Sequence, residues 1–533
     1  MSKSKMMSGS PILIGDNTIP GVKIHKEVKA VMPQIEEACR KMGLDYYPII
    51  VEFVRYDEMA ELASYGGFPV RYPHWKFGME YEEMARGYEH NQYRISEMVI
   101  NTSPCYIYCM DSNTLVDNVD VIAHAIGHND FFKNNVFFEP TDENMMNKLA
   151  NHGTRIRRYM ARWGYEVVTE FIDHCLRLDT LIDPNKAWRK KKIKEAVIVD
   201  ERNYRHPERL VSEHNYMDQW INTKDFIKKQ QEEIKKEESA NFLDVFGGSQ
   251  KDIFGFLKDN APLKPWQQDI ISMLYDEALY FSPQRATKMI NEGWASFVDY
   301  HIMCRMGLVS LGQKTEDAGI WHYAEHKMRV LGGKYSQNPY KLGFELLLDI
   351  EDRWNKGKFG KEYDNCTNMH EKENWDQKLG LGIEKLFEVR KNYNDYLLIQ
   401  EFFTPEFCEK KQFFEWQRFP NGEYKIVNKD FNSIKKKLLQ RYMNGGLPDI
   451  RLLDHNHLGK GWMYLEHKSD GRPLEDSYAR ETIVSLHKLW KNTIVLATKN
   501  RDGAEFMYIC DGAQIDRDVH VVSRKEYEKE FLK

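Results

Sequence analysis

The sequence predicts a mainly α-helical protein with a C-terminal α+β domain, and three observations support this fold class. Apolar residues recur at intervals of three and four over much of the first 360 residues, which is the period of an amphipathic helix. After about residue 375, short apolar runs are bounded by glycine, proline and asparagine, as in strands and hairpins. The 533 residues, 42% of them hydrophobic, are too many for one small core, so two to four domains are expected.

The N-terminal region, residues 1–118, is predicted to be α+β. Apolar residues lie on one side of a helix over about 23–42, and Pro33 is expected to kink or restart that helix. The run YYPIIVEFV then predicts a strand, and the segment that follows it ends in the glycine and proline turn of YGGFPV. This region therefore precedes the helical core in the chain.

Residues 119–360 are predicted to form the helical core. Helical periodicity continues from residue 119 to about residue 182. Breaks are expected at Pro140, Gly153 and Gly164. The segment 222–240 pairs lysine with glutamate at four-residue spacing, which is typical of a solvated helix or a linker.

Two further helices complete the predicted core. One begins near Pro265, and the second runs from about Pro283 through NEGWASFVDYHIM. Beyond them, residues 375–533 are predicted to form a separate α+β domain. Its strands pair around Asn421 and within DIRLLDHNHLGKGWMYLEHK and NTIVLATKNRDGAEFMYICDG, with the helical ARETIVSLHKLWKN between the last two.

Composition excludes several classes of protein. The net charge of −5 gives no electrostatic footprint for nucleic acid, and the basic runs RIRRYMAR and WRKKKIKEA are interpreted as solvated helix faces. The eight cysteines are scattered without a CxxC pair, which argues against a disulfide framework and a thiolate zinc finger. The N-terminal apolar run is too short for a secretory signal, and no run approaches a membrane span. A cytoplasmic protein is expected.

The segment VIAHAIGHNDFF contains the strongest candidate for a metal site. His124 and His128 lie four residues apart, so on a helix both rings project from one face and both can bind one ion. In the HExxH motif of zinc peptidases a glutamate follows the first histidine and acts as a base, but here Ala125 takes its place. The alternative is a buried helix whose histidines bond to backbone or carboxylate groups.

A third ligand is expected from Glu292 in the segment NEGWA. This segment resembles the helix that carries the glutamate ligand of gluzincin metallopeptidases, which implies a zincin-like helical core, although Glu292 follows His128 by 164 residues instead of a few tens. His152 is the second candidate for this position and Glu277 the third. Imidazole and carboxylate ligands suit several divalent transition metals, and zinc is our first choice.

Other polar residues near these motifs are candidates for supporting roles. Asp130 could accept the free ring N–H of a ligand or replace the missing base, or pair with an arginine. Glu277 is the other candidate base. Asn134, which follows Asp130 among large aromatic residues, and His301, which follows the NEGWA segment, are candidates for alternative or supporting ligands.

Several long motifs resemble the stage V sporulation protein R family, the SpoVR-like proteins. These motifs are YGGFPVRYPHWKFG, HAIGHNDFFKNN, LANHGTRIRRY, YFSPQRATKMINEGWASF, NPYKLGFELLLDIEDRW and DHNHLGKGWMYLEH, which together span nearly the whole chain. The resemblance implies a role in spore cortex formation or stationary-phase stress. It also implies two partners, a PrkA-type AAA+ ATPase and a protein with a von Willebrand-like domain. It further implies a histidine at the place of Asp299.

Two functions are therefore expected. The first is a metal-dependent hydrolase or amidase in which His124, His128 and Glu292 hold the ion, Asp130 or Glu277 activates water, and the substrate is a peptide or a muropeptide-like molecule. The second is a non-enzymatic regulator or scaffold with a degenerate zincin-like fold that acts with the ATPase. The alanine at position 125 favours this second hypothesis.

Overall fold

The structure is a computed structural model that describes residues 12–14, 23–89, 97–186, 249–310, 316–332, 338–512 and 519–531. The predicted charged segment 222–240 lies outside the described residues. The strands are β1 (Ile12–Ile14), β2 (Ile49–Val54), β3 (Glu97–Val99), β4 (Cys105–Met110), β5 (Glu415–Arg418), β6 (Tyr424–Asn428), β7 (Ile450–His457), β8 (Trp462–His467), β9 (Ile494–Lys499), β10 (Glu505–Cys510) and β11 (His520–Ser523).

Helices make up most of the described chain. They are α1 (Lys23–Met42), α2 (Tyr56–Ser64), α3 (Trp75–Glu89), α4 (Leu115–Asn134), α5 (Met145–Trp163), α6 (Tyr165–Leu176), α7 (Ile253–Asn260), α8 (Pro265–Ala286), α9 (Lys288–Tyr300), α10 (Glu316–Val330), α11 (Pro339–Lys356), α12 (Gly360–Asp364), α13 (Met369–Glu373), α14 (Gly382–Asn392), α15 (Asp395–Phe402), α16 (Pro405–Lys410), α17 (Phe431–Tyr442), α18 (Asp476–Trp490) and α19 (Arg524–Phe531). None of the helices in the described ranges is both long enough and apolar enough to span a membrane. The mainly helical class with a sheet near the C-terminus is confirmed.

The chain divides into two compact units. The first comprises Met1–Thr169 and Tyr280–Leu447. It contains a four-stranded sheet in the order β1-β2-β4-β3, in which only β3 is antiparallel to its neighbour. It also contains the predicted β5–β6 hairpin around Asn421. Buried residues of α1, α4, α9, α11 and α14 belong to one hydrophobic core in this unit.

The second unit comprises Glu170–Leu279 and Pro448–Lys533. Its five-stranded sheet has the order β11-β10-β9-β8-β7, and only the β8–β9 pair is parallel. A parallel pair needs a crossover connection, and α18 supplies it between β8 and β9. The two strand pairs and the helix between them were therefore predicted correctly.

Two predicted helix boundaries were wrong. Gly153 lies inside α5 and does not end the helix. A Cβ atom at this position would lie 3.3 Å from the backbone carbonyl of Arg71, so the glycine allows a close contact with that backbone. Pro283 does not begin a helix: it lies in the last turn of α8, where the hydrogen bond that its missing N–H cannot make is lost close to the helix end, and α9 begins only at Lys288. The predicted break at Gly164 is confirmed.

Helix α4 carries both histidines and is buried on all sides. Its N-terminus is closed by a capping box, in which Thr114 accepts from the backbone N–H of Asp117 and the Asp117 carboxylate accepts from the backbone N–H of Thr114. Sixteen of its residues are buried, from Val116 to Phe132. Six of these buried residues are polar or charged, so they need hydrogen-bonding partners inside the core.

Two glycines set the close packing around α9. A Cβ atom on Gly127 of α4 would lie 2.7 Å from Cα of Ala295 of α9, and a Cβ atom on Gly293 would lie 2.5 Å from the backbone carbon of Gly343 in α11. Both distances are shorter than any ordinary carbon contact. The backbone of α9 therefore approaches α4 on one side and α11 on the other only because these two positions lack side chains.

Gly127→Ala should lower the free energy of unfolding by about 1–3 kcal/mol, because the new methyl group forces α4 and α9 apart. The matched control is Gly78→Ala in α3, where an added Cβ would meet no atom within 4 Å. That control should be neutral or should stabilise by about 1 kcal/mol, since alanine favours a helix more than glycine does. Chemical denaturation of both variants measures the difference. An equal response of the two variants would contradict the close packing.

Candidate metal centre

Three predicted ligands lie together in the first unit. His124 and His128 of α4 and Glu292 of α9 present ligating atoms that all lie within 4.8 Å of one another. Oε2 of Glu292 is 3.6 Å from Nε2 of His124 and 3.4 Å from Nε2 of His128. Both histidines are buried, and the Glu292 side chain is 18% exposed. The helical spacing of four residues thus brings both rings to one carboxylate.

The other nitrogen of each ring is already occupied. Nδ1 of His124 lies 2.7 Å from Oδ2 of Asp299, and Nδ1 of His128 lies 2.9 Å from Oδ1 of Asn291. Carboxylate and amide oxygens only accept hydrogen bonds, so each Nδ1 carries the hydrogen. In the neutral rings, Nε2 then keeps the lone pair that binds a metal.

Helix α10 extends this network behind His124. Asp299 is fully buried and accepts from the Tyr323 hydroxyl at 2.7 Å and from Nζ of Lys327 at 2.5 Å. Nζ of Lys327 also lies 3.7 Å from Oδ1 of Asp120, a buried carboxylate on α4. Burial, with the charges of Asp299 and Asp120, raises the pKa of Tyr323, so its hydroxyl remains a donor.

The arrangement of the three ligands favours a cation between them. With neutral rings, two lone pairs face the Glu292 carboxylate across 3.4 and 3.6 Å, which is repulsive unless a metal ion or added ring protons intervene. Burial raises the pKa of Glu292, but the charges and hydrogen bonds of His128 and His124 outweigh it and hold that pKa well below its usual range. The site therefore attracts positive charge.

The chemistry of the ligands fits a divalent ion. Glu292 supplies a carboxylate oxygen, and two further carboxylates, Asp299 and Asp120, lie close by and contact Lys327. Two imidazoles and one carboxylate also form the ligand set of a catalytic zinc site that keeps a position open. The residues present thus fit the predicted divalent transition metal.

Asp130 pairs with an arginine, one of the alternatives left open by the sequence. Its carboxylate accepts from Nη1 of Arg390 at 2.6 Å, from Nε1 of Trp294 at 2.9 Å and from the backbone N–H of Asp45 at 2.8 Å. The ring N–H groups of the two histidines bond to Asp299 and Asn291 instead, so the suggestion that Asp130 accepts them was wrong. Its role as a base stays a prediction.

The remaining candidates lie outside the three-residue cluster. Asn134 donates to the backbone carbonyls of Asp45 and Asp130. His301 ends α9 with Nδ1 3.4 Å from Nη1 of Arg305. His152 is buried in α5, and Glu277 is buried in the part of α8 that belongs to the second unit.

Sequence reasoning missed the residues that orient the ligands. Asn291 directly precedes Glu292, and Asp299 follows it by seven residues, two helical turns later on the same face. That spacing was a usable signal for Asp299. Lys327 carried no such signal, because it lies on another helix and meets the site only through tertiary contacts.

Comparisons with known proteins give a consistent result. The family model described as SpoVR like protein matches residues 23–447, and the SpoVR-like C-terminal domain matches residues 448–501. The boundary between the two models coincides with the unit boundary after Leu447. A relative, the uncharacterized protein YcgB of Escherichia coli strain K12, is 27% identical over 89% of this chain and 92% of its own length. No solved structure matches the chain.

Proposed function

The chain belongs to the family of SpoVR-like proteins, and on this premise we propose that it is a metal-dependent hydrolase of an amide or ester bond. The observation that carries the proposal is the ligand set itself. Two imidazoles and a carboxylate converge, while both ring N–H groups are bound from behind by Asp299 and Asn291. Two histidine ligands on one helix and a glutamate ligand on a second, packed helix support the zincin-like description of the core.

Three residues would bind the ion, and two others orient the imidazole rings. His124, His128 and Glu292 would hold the ion, with zinc as our first choice. Asp299 and Asn291 keep the imidazoles in the ligating tautomer. A bound divalent metal supplies Lewis-acid chemistry, since it polarises a carbonyl oxygen and makes water nucleophilic near neutral pH.

The position of the missing base limits the reaction. Ala125 is fully buried in the hydrophobic core, so no base acts from the place where HExxH has its glutamate. Among the described residues, Glu292 is the one carboxylate in the ligand cluster. Asp130 and Glu277 stay candidates for the base, but neither belongs to this cluster, so we expect substrates whose leaving group departs without protonation to react best. Esters and activated amides should therefore react faster than plain peptides.

The family resemblance suggests the natural substrate class. A peptide or muropeptide-like amide would connect the reaction with the cell wall, with the spore cortex or with stationary-phase stress. The same resemblance suggests the PrkA-type ATPase and the von Willebrand-like protein as partners. These assignments are proposals that rest on the family alone.

The test uses two chromogenic probes, p-nitrophenyl acetate and alanine p-nitroanilide, with the full-length chain. We expect turnover that a chelator removes and zinc restores, faster on the ester, and absent in Glu292→Gln. The control is Glu351→Gln, which removes a carboxylate that pairs with Arg305 elsewhere in the first unit. Turnover that survives both chelation and Glu292→Gln would overturn the proposal.

A second function is favoured by the buried alanine. If Ala125 marks a site that has lost its chemistry, the ion would serve structure, and the chain would act as a regulator or scaffold for the ATPase. Zinc would then raise the melting temperature of the chain without any turnover of either probe. That combination of results would select the second function over the first.

A further inference from the structure

Two side chains of helix α10, Tyr323 and Lys327, donate hydrogen bonds to Asp299 of α9, the residue that orients His124. None of the described side chains of α10 belongs to the ligand cluster. We infer that Lys327 and Tyr323 are positioning residues of the metal centre: by fixing Asp299 they fix the tautomer and the ring orientation of His124, and so set the affinity for the ion. The inference rests on the metal binding proposed above. It gives α10 a part in setting metal affinity, although α10 supplies none of the three clustered ligands.

The contacts of Asp299 leave its carboxylate a single orientation. Oδ1 accepts from the Tyr323 hydroxyl at 2.7 Å, whereas Oδ2 accepts both from Nζ of Lys327 at 2.5 Å and from Nδ1 of His124 at 2.7 Å. The side chain is fully buried, so no water competes from bulk solvent. Rotation of the carboxylate would break a bond on each oxygen at once.

Lys327 also makes the buried charge of Asp299 tolerable. Two carboxylates, Asp299 and Asp120, lie within 4 Å of its ammonium group, and its own side chain is only 13% exposed. Removing one partner of a buried ion pair leaves the other charge uncompensated, which is strongly unfavourable. Asp299 would then move towards other donors, away from the geometry that serves His124.

The two histidines are supported unequally. His124 donates to a carboxylate that α10 holds from the far side, whereas His128 donates to the neutral amide of Asn291. A charged acceptor raises the basicity of a metal-ligating imidazole more than a neutral one does. His124 should therefore be the stronger and more rigid ligand, and this difference depends on α10.

The experiment measures zinc affinity of the full-length chain by competition with a chromophoric chelator, and the visible absorption of the cobalt(II)-loaded chain. Lys327→Met is paired with Lys133→Met, which removes an ammonium group 2.5 Å from Oδ1 of Asp45. Tyr323→Phe is paired with Tyr280→Phe, which removes a buried hydroxyl that donates to the backbone of Asn101. Each control breaks a similar contact away from the ligands.

We expect zinc affinity to fall about 10- to 100-fold in Lys327→Met and about tenfold in Tyr323→Phe, with altered cobalt absorption bands. The controls should keep wild-type affinity and spectrum even where their melting temperatures fall as far. Variants that bind zinc like their controls would overturn the inference and leave the proposed function standing. A wild-type chain that binds neither metal would overturn both. If Lys327→Met does not fold, Tyr323→Phe, which removes one oxygen atom, decides the question.

Discussion

Wild-type chain purified without an affinity tag should contain about one transition-metal ion per molecule, and the double variant His124→Ala with His128→Ala should contain almost none. The double variant removes both nitrogen ligands and leaves only the carboxylate of Glu292 in the cluster. A single carboxylate does not retain a transition metal through purification and dialysis. Elemental mass spectrometry of the dialysed proteins gives the stoichiometry and identifies the metal.

His301→Ala is the control for this loss. His301 lies at the end of α9, next to Arg305, and is not one of the clustered ligands. Its removal should leave the metal content unchanged. A wild-type chain that is folded but empty, or a double variant that keeps its ion, would contradict the assignment of the three ligands.

Arg390→Met should lower the free energy of unfolding by about 3–5 kcal/mol, because it leaves the Asp130 carboxylate buried without its cation. Asp130 is fully buried, and Nη1 of Arg390 lies 2.6 Å from both of its oxygens. The guanidinium group also covers the rings of Trp294 and Phe387, so packing is lost as well. Chemical denaturation followed by tryptophan fluorescence measures the loss.

Arg305→Met provides the comparison. Arg305 makes a two-pronged pair with Glu351, but its side chain is 36% exposed, so solvent weakens the pair and its loss should cost about 1 kcal/mol or less. In addition, Asp130→Asn should recover part of the loss when combined with Arg390→Met, since it removes the buried charge. Equal losses in the two arginine variants would show that burial does not strengthen the Asp130 pair.

The parts of the site that sequence could predict are those that local spacing encodes. His124 and His128 lie one helical turn apart, so the period of the helix alone brings them to one face. Glu292 was reached through its resemblance to a known ligand segment. The structure brings these three predicted ligands together.

The parts that sequence could not predict depend on contacts between distant segments. Arg390 meets Asp130 across 260 residues, and no local pattern distinguishes it from the chain's other arginines. Gly153 was misread for a related reason, because a glycine that ends a helix and one that admits a neighbouring backbone look alike in sequence. The strands of the C-terminal sheet were predicted more easily, since alternation and turns are local signals.

The separation of the ligands along the chain has a consequence for synthesis on the ribosome. Glu292 is translated 164 residues after His128, which at typical elongation rates is a delay of roughly 10–30 s. During that interval α4 emerges with its apolar faces, while α9 and α14, which cover it in the finished protein, do not yet exist. The nascent chain therefore exposes apolar surface of α4 during this interval, and the three proposed ligands are complete only after α9 has been made.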